Sequence, residues 1–110
     1  MTIESTLAAD KVVIKVAGRM DADNATQFDK LCDSLIAEGA TKIVVDLADL
    51  AYVSSMGLRS FIAAGKTLQD QGGKLWICRA NGLVKQVFVI TRINLLFPLY
   101  ESVETALAEV

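Results

Sequence analysis

Residues 43 to 59 read Ile43-Val44-Val45-Asp46-Leu47-Ala48-Asp49-Leu50-Ala51-Tyr52-Val53-Ser54-Ser55-Met56-Gly57-Leu58-Arg59. The opening Ile-Val-Val is a short, continuous, β-branched run, the pattern of a strand buried on both faces. Asp46 to Val53 then reads as a loop. Ser54 and Ser55 precede a segment in which Leu58, Phe61, Ile62, Gly65 and Leu68 share one side of a helix. A buried strand that leads through a loop into an amphipathic helix is half of a β-α-β unit, and such units build parallel sheets.

The rest of the chain continues the alternation. Upstream, Ile3 to Leu7 is weakly strand-like and Val12 to Ala17 is a stronger β-branched run. The short Ala8-Ala9-Asp10 link between them predicts a hairpin. Gly18-Arg19-Met20-Asp21-Ala22-Asp23 reads as a loop. Phe28, Leu31, Cys32, Leu35 and Ile36 recur at helical spacing, with Asn24 as cap, Gln27 completing a capping box and Gly39 at the end. Downstream, Gly72-Gly73 stops the second helix and Lys74 to Cys78 forms the next strand. Asn81 caps a third helix with Leu83, Val84, Val87 and Phe88 facing inward. Leu95 to Leu99 reads as a short strand, which Pro98 places at a sheet edge. Val103, Ala106, Leu107 and Val110 mark a last helix capped by Ser102. The predicted fold class is α/β, with an N-terminal β-hairpin, alternating strands and helices, and a mostly parallel central sheet. About five strands and about four helices are expected, in one domain spanning residues 1–110.

Composition narrows the function. Of 110 residues, 53% are apolar and 22% charged, the balance of a folded globule. Eleven Lys and Arg against thirteen Asp and Glu give a net charge of −2, which argues against nucleic acid or an anionic membrane as the main partner. There is no His, so His-based acid–base catalysis and most zinc sites are excluded. Cys32 and Cys78 are far apart and form no CxxC, which fits a reduced, cytoplasmic chain. No apolar run reaches the ~20 residues of a membrane helix, and MTIESTLAADK does not read as a secretory signal.

Ligands and partners of open α/β sheets favour loops beyond the carboxyl ends of the strands. Three loops qualify: Gly18–Asn24, Asp46–Gly57 and Arg79–Gly82. In the middle one, Ser54 and Ser55 stand where a helix begins. Capping is the first reading of such a pair, contributing about 0.5–2 kcal/mol. The same position also suits a phosphate, because free N–H groups and the helix dipole favour negative charge there. A nucleophilic serine would need a base; His is absent, the sequence is not G-x-S-x-G, and no spacing recruits Lys66 or Lys74. Asp21, Asp23, Asp46 and Asp49 could hold magnesium, but read more simply as loop, cap, strand-end and turn residues. No glycine loop for phosphates is present. Trp76 and Cys32 read as core, and Arg59 as a solvated charge.

The segment from Ile43 to Arg59 resembles the signature of the STAS domain, the anti-sigma-factor antagonist family. Gly18-Arg19-Met20-Asp21 is similar to that family's Gly-x-Leu-Asp element. Ile90-Thr91-Arg92-Ile93-Asn94-Leu95-Leu96-Phe97-Pro98-Leu99-Tyr100 is similar to its late Thr-Gly-Leu and Phe-x-x-Tyr region. The resemblance implies a bacterial cytoplasmic binding module that regulates transcription and is not an enzyme. It needs no cofactor, small-molecule substrate, nucleic acid or membrane insertion. Unphosphorylated, such a module binds an anti-sigma factor that is also a serine kinase. Phosphorylation of a serine at the start of the second helix switches it off, and a serine phosphatase resets it. The acceptor position falls on Ser55, with Ser54 as the alternative. Asp21, Asp23, Ser54, Ser55, Met56, Gly57 and Arg59 form the expected partner-binding set. Ser54 stands where antagonists usually have Asp, Met56 where Ser or Thr is frequent, and Arg59 and Arg92 where Gly occurs. The alternative role for this fold is a non-phosphorylated cytosolic subunit of a lipid or anion transport system.

Overall fold

The computed structural model describes residues 1–109. The elements run β1 (Thr2–Ala8), β2 (Lys11–Met20), α1 (Ala25–Ala37), β3 (Lys42–Asp46), β4 (Leu50–Val53), α2 (Ser55–Asp70), β5 (Lys74–Cys78), α3 (Gly82–Ile90), a 3-10 turn (Ile93–Leu95), β6 (Leu99–Tyr100) and α4 (Val103–Ala108). The sheet has six strands in the order β1-β2-β3-β5-β6, with β4 paired to β2 beyond the end of β3. The β1–β2 hairpin is antiparallel and every other pairing is parallel. The α/β class and the mostly parallel sheet therefore hold, with one more strand than expected.

That extra strand corrects the loop assigned to Asp46–Val53. Leu50 and Val53 are buried, and Gly18–Met20 pairs with Leu50–Val53 across a register shift. The same pairing carries β2 through Met20, into residues that read as a loop. The strand expected at Leu95–Leu99 is also corrected. Ile93–Leu95 winds into a 3-10 turn, and the edge strand is only Leu99–Tyr100, with Pro98 just before it.

Alternation along the buried strands divides the core in two. Ile14, Val16, Ile43, Val45, Leu75 and Ile77 face α1, α2 and α3. Val44, Trp76 and Cys78 face α4 through Ala106. Phe28, Phe61 and Phe88 join the three helices of the first layer edge to face, with centroids 5.0 and 5.9 Å apart. Cys32 and Trp76 are buried as expected, whereas Leu83 turns outward, 52% exposed. Burial pushes both thiols up to about 12, keeping them neutral. Val110, expected on the last helical face, lies outside the described residues.

Local chemistry closes the elements. Gly39 and Gly72 take positive φ just past α1 and α2. Gly73 is required for a different reason: a Cβ there would lie 1.9 Å from the Thr41 carbonyl oxygen. Ser102 caps α4 by accepting the Thr105 N–H. Lys11 is buried because its ammonium donates to the Leu107 and Glu109 carbonyls at the other end of α4, at 3.0 and 2.7 Å. The capping box expected on α1 is absent; Asn24 occupies the cap position without a side-chain cap bond. Asn81 likewise donates its amide to the Ala48 and Arg79 carbonyls instead of capping α3.

Asp46, at the end of β3, is buried and accepts two hydrogen bonds from Arg79, at 3.0 and 2.6 Å. Burial acts to raise its carboxyl pKa. The bonds from Arg79 and from the Ala48 N–H outweigh it and hold the carboxyl below the usual range. A depressed folded-state pKa contributes stability above the unfolded value of about 4 and loses it as the pH falls through the folded value. Arg79 is largely exposed, so solvent screening trims the pair to roughly 1–2 kcal/mol. Asp46→Asn is expected to lower stability by about that amount at neutral pH, with the gap to wild type closing below about pH 4. Urea denaturation across pH checks this; a constant gap would contradict it.

Candidate functional site

Met20 and Val53 end the adjacent parallel strands β2 and β4, where they pair directly. The two loops that follow therefore leave the sheet side by side. The Ser54 N–H donates to the Met20 carbonyl at 2.8 Å, tying the start of α2 to the end of β2. Gly57 is buried on the same strand ends. A Cβ on it would approach Val53 Cγ2 to 2.8 Å and the Met20 side chain to 3.1 Å. Only a glycine lets the first turn of α2 sit this close.

The two serines have different surroundings. Ser54 has extended backbone geometry, and its Oγ accepts the Gly57 N–H at 3.2 Å. Its carbonyl accepts the Leu58 N–H at 2.9 Å, the first bond of the helix. Ser54 is thus the N-cap. Ser55 is the first helical residue; it is exposed, and its hydroxyl bonds to no other group among the described residues. The Ser55 and Met56 N–H groups also lack acceptors among the described residues, so the N-terminal positive potential is open to solvent beside the Ser55 hydroxyl.

The neighbouring loop uses its polar atoms internally. Asp21 Oδ1 accepts the N–H groups of Asp23 and Asn24, both at 3.0 Å. Asn24 Oδ1 accepts the Asp21 N–H, and its amide donates to the Arg19 carbonyl. This network competes with the capping box and explains its absence. Asp21 is half-buried and shapes the loop, whereas Asp23 is exposed. Met56 is 42% exposed, and Arg59 lies one turn beyond Ser55 in the open. Asp29, Asp33, Met56, Arg59, Ser60 and Ala63 line a shallow groove of about 360 Å³ between α1 and α2.

The expected residues thus gather around one rim, except that Gly57 is buried and offers no side chain. The rim also includes a pair absent from the expected set. Arg19 lies over the Tyr52 ring at 4.3 Å, the two facing each other across β2 and β4. Recognising β4 in the sequence would have paired them. Cation–π contact of this kind contributes about 0.5–1 kcal/mol at an exposed position. Asp46 and Asp49 stand apart from this rim, in ion pairs with Arg79 and Lys15, and no cluster of potential metal ligands occurs among the described residues. No helix among the described residues is long and apolar enough to cross a membrane.

A doubly covered, mostly parallel sheet that presents a capped helix start at its strand ends defines a small α/β domain with a loop-built rim. The chain belongs to the STAS domain family, whose model matches residues 2–106. BtrV of Bordetella bronchiseptica, provisionally named an anti-sigma factor antagonist, is 31% identical over 106 residues, covering 93% of this chain and 91% of BtrV. A Thermotoga maritima protein, provisionally named in the same way, superposes with a TM-score of 0.92 at 23% identity, over 98% of this chain and 93% of that one. The Bacillus cell fate determinant SpoIIAA, solved in its phosphorylated form, superposes at 0.77 with 18% identity, over 96% of each chain.

The two serines are expected to separate by stability. Ser54→Ala removes the cap and is expected to cost about 0.5–2 kcal/mol. Ser55→Ala, at an exposed and unbonded hydroxyl, is expected to stay within about 0.5 kcal/mol of wild type. Chemical denaturation of both variants measures this, and equal losses would contradict the assignment.

Proposed function

We propose that this chain is an anti-sigma-factor antagonist whose docking rim is turned off by phosphorylation of Ser55. In this reading the unphosphorylated rim binds an anti-sigma factor that is also a serine kinase, and the sigma factor is released. The kinase moves the γ-phosphoryl group of ATP onto Ser55 Oγ and leaves ADP. A serine phosphatase hydrolyses the ester and restores the rim. The chain itself supplies no catalytic group; it regulates transcription through binding alone. The observation that carries the reading is the division of labour between the serines: Ser54 is consumed as the cap, and Ser55 is exposed and unbonded. The name given to BtrV, and the existence of SpoIIAA in a phosphorylated form, support it.

Charge explains how one phosphate would suffice. A phosphoserine adds about −1.5 to −2 charges. On the free protein it gains about 0.3–1 kcal/mol from the helix N-terminus, with Arg59 one turn away as a pairing cation. Inside an interface without a matching cation it costs several kcal/mol. A net loss of about 2.7 kcal/mol weakens binding roughly a hundredfold. In this reading Asp23, Met56 and Arg59 are contact residues of the rim that carries Ser55, while Asp21 and Gly57 hold the two loops in place.

The test uses the anti-sigma factor recovered with the protein from its native cells. Ser55→Ala is expected to bind it like wild type but to resist release when ATP is added. Ser55→Asp is expected to bind at least tenfold more weakly. Two variants that bind and release like the parent would overturn the proposal.

A further inference from the structure

A second unpartnered surface lies on the outward side of α3. That helix buries only Val84 and Phe88. Leu83, Val89 and Ile90 project from its other side, Ile90 being 78% exposed. Three of the seven exposed large apolar side chains among the described residues thus belong to this one short helix, while Leu96 lines a separate groove with Gly65 and Gln69. Scattered singly they would need no explanation, but a cluster of this kind marks a contact surface. Gly82, Lys85, Gln86, Val89 and Ile90 line a shallow, mostly apolar trough of about 440 Å³.

The charged residues within this stretch of the chain are of one sign, and the first carboxylate past it, Glu101, lines a separate groove with Arg79 and Lys85. Residues 71 to 100 contain Lys74, Arg79, Lys85 and Arg92, and no Asp or Glu. Lys74 is engaged by Glu109 and Arg79 by Asp46. Lys85 and Arg92 are exposed and form no ion pair among the described residues. Arg92 also sits at φ 63°, just past the end of α3, where glycine is the relaxed choice. No hydrogen bond or ion pair of its side chain within the described residues offsets that strain.

We propose that the outward face of α3 docks an acidic amphipathic helix of another protein, with its apolar stripe in the trough and its carboxylates on Lys85 and Arg92. Charge decides among the possible occupants. A second copy packed through the same face would add two more unpaired cations, its own Lys85 and Arg92, with no Asp or Glu from residues 71 to 100 to match them. An anionic bilayer gains only about 1 kcal/mol per cation near its surface, and the chain as a whole carries −2. An acidic helix matches both the apolar trough and the cations, by the helix-in-groove mode of recognition. This surface is separate from the Ser55 rim, so either proposal can fail without the other.

The test titrates the full chain with a synthetic helical peptide of about 18 residues, long enough to fold on docking. It carries Leu at i, i+3, i+4 and i+7 spacing, flanked by Glu. A control peptide has Lys for every Glu. The Glu peptide is expected to bind at least tenfold more tightly, with NMR shift changes centred on residues 82–92. Arg92→Gly is expected to raise the thermal midpoint by relieving the backbone, yet to weaken the Glu peptide at least threefold. A merely structural role for Arg92 would not separate those two readouts. Equal affinity for both peptides, no loss on Arg92→Gly, tighter binding to phosphatidylglycerol vesicles, or dimerisation through this face in sedimentation would each overturn the proposal.

Discussion

The contact on which the site depends is the seating of the first turn of α2 on the ends of β2 and β4. Gly57 makes it possible, because any side chain there would meet Val53 and Met20. The bond from the Ser54 N–H to the Met20 carbonyl fixes its direction. Met20 and Val53 themselves are held by the parallel pairing of β2 with β4. The strand pairing sets the two rim loops side by side, and the close approach of the helix fixes the N-cap role of Ser54 and the outward position of Ser55. The packing below is equally tight, since Phe61 of α2 touches both Phe28 and Phe88. A helix anchored at one end by backbone and in its middle by aromatic contacts holds its N-terminus as a fixed platform.

That platform would keep folding separate from the proposed regulation. The hydroxyl that stabilises the helix is Ser54, and a proposed modification of Ser55 would leave the cap bond intact. A phosphate at the first helical position is compatible with the local potential, so the cost of the added charge falls on a bound partner and not on the fold. A binding surface can then be toggled without unfolding the molecule that carries it.

Much of this was legible in the sequence because the strong signals were periodic ones. The β-branched runs at 12–17 and 43–45 and the helical stripes at 28–36 and 58–68 each turn toward the core, with Ile14, Val16, Phe28, Cys32, Phe61 and Leu68 buried and Leu31, Leu35, Ile36 and Ile62 half-buried. β4 was hidden because it has only four residues and lies in a stretch rich in Ala and Asp that also suits a turn. The Leu95–Leu99 reading failed because Leu95 and Leu96 are apolar yet exposed, and apolar character alone does not report burial. Leu83 misled for the same reason. The α1 capping box lost to Asp21 and Asn24, whose short side chains bond to their own loop. At the site, the sequence placed both serines at a helix start but left their roles open. Backbone geometry separates them, since only Ser54 has the extended conformation of a cap.

The most direct measurement is site-resolved mass spectrometry of the protein isolated from its native cells, under conditions that preserve phosphate esters. The account predicts a phosphoryl group on Ser55, with Ser54 unmodified. A phosphoryl group on Ser54, or its absence from both residues in every growth state sampled, would contradict it.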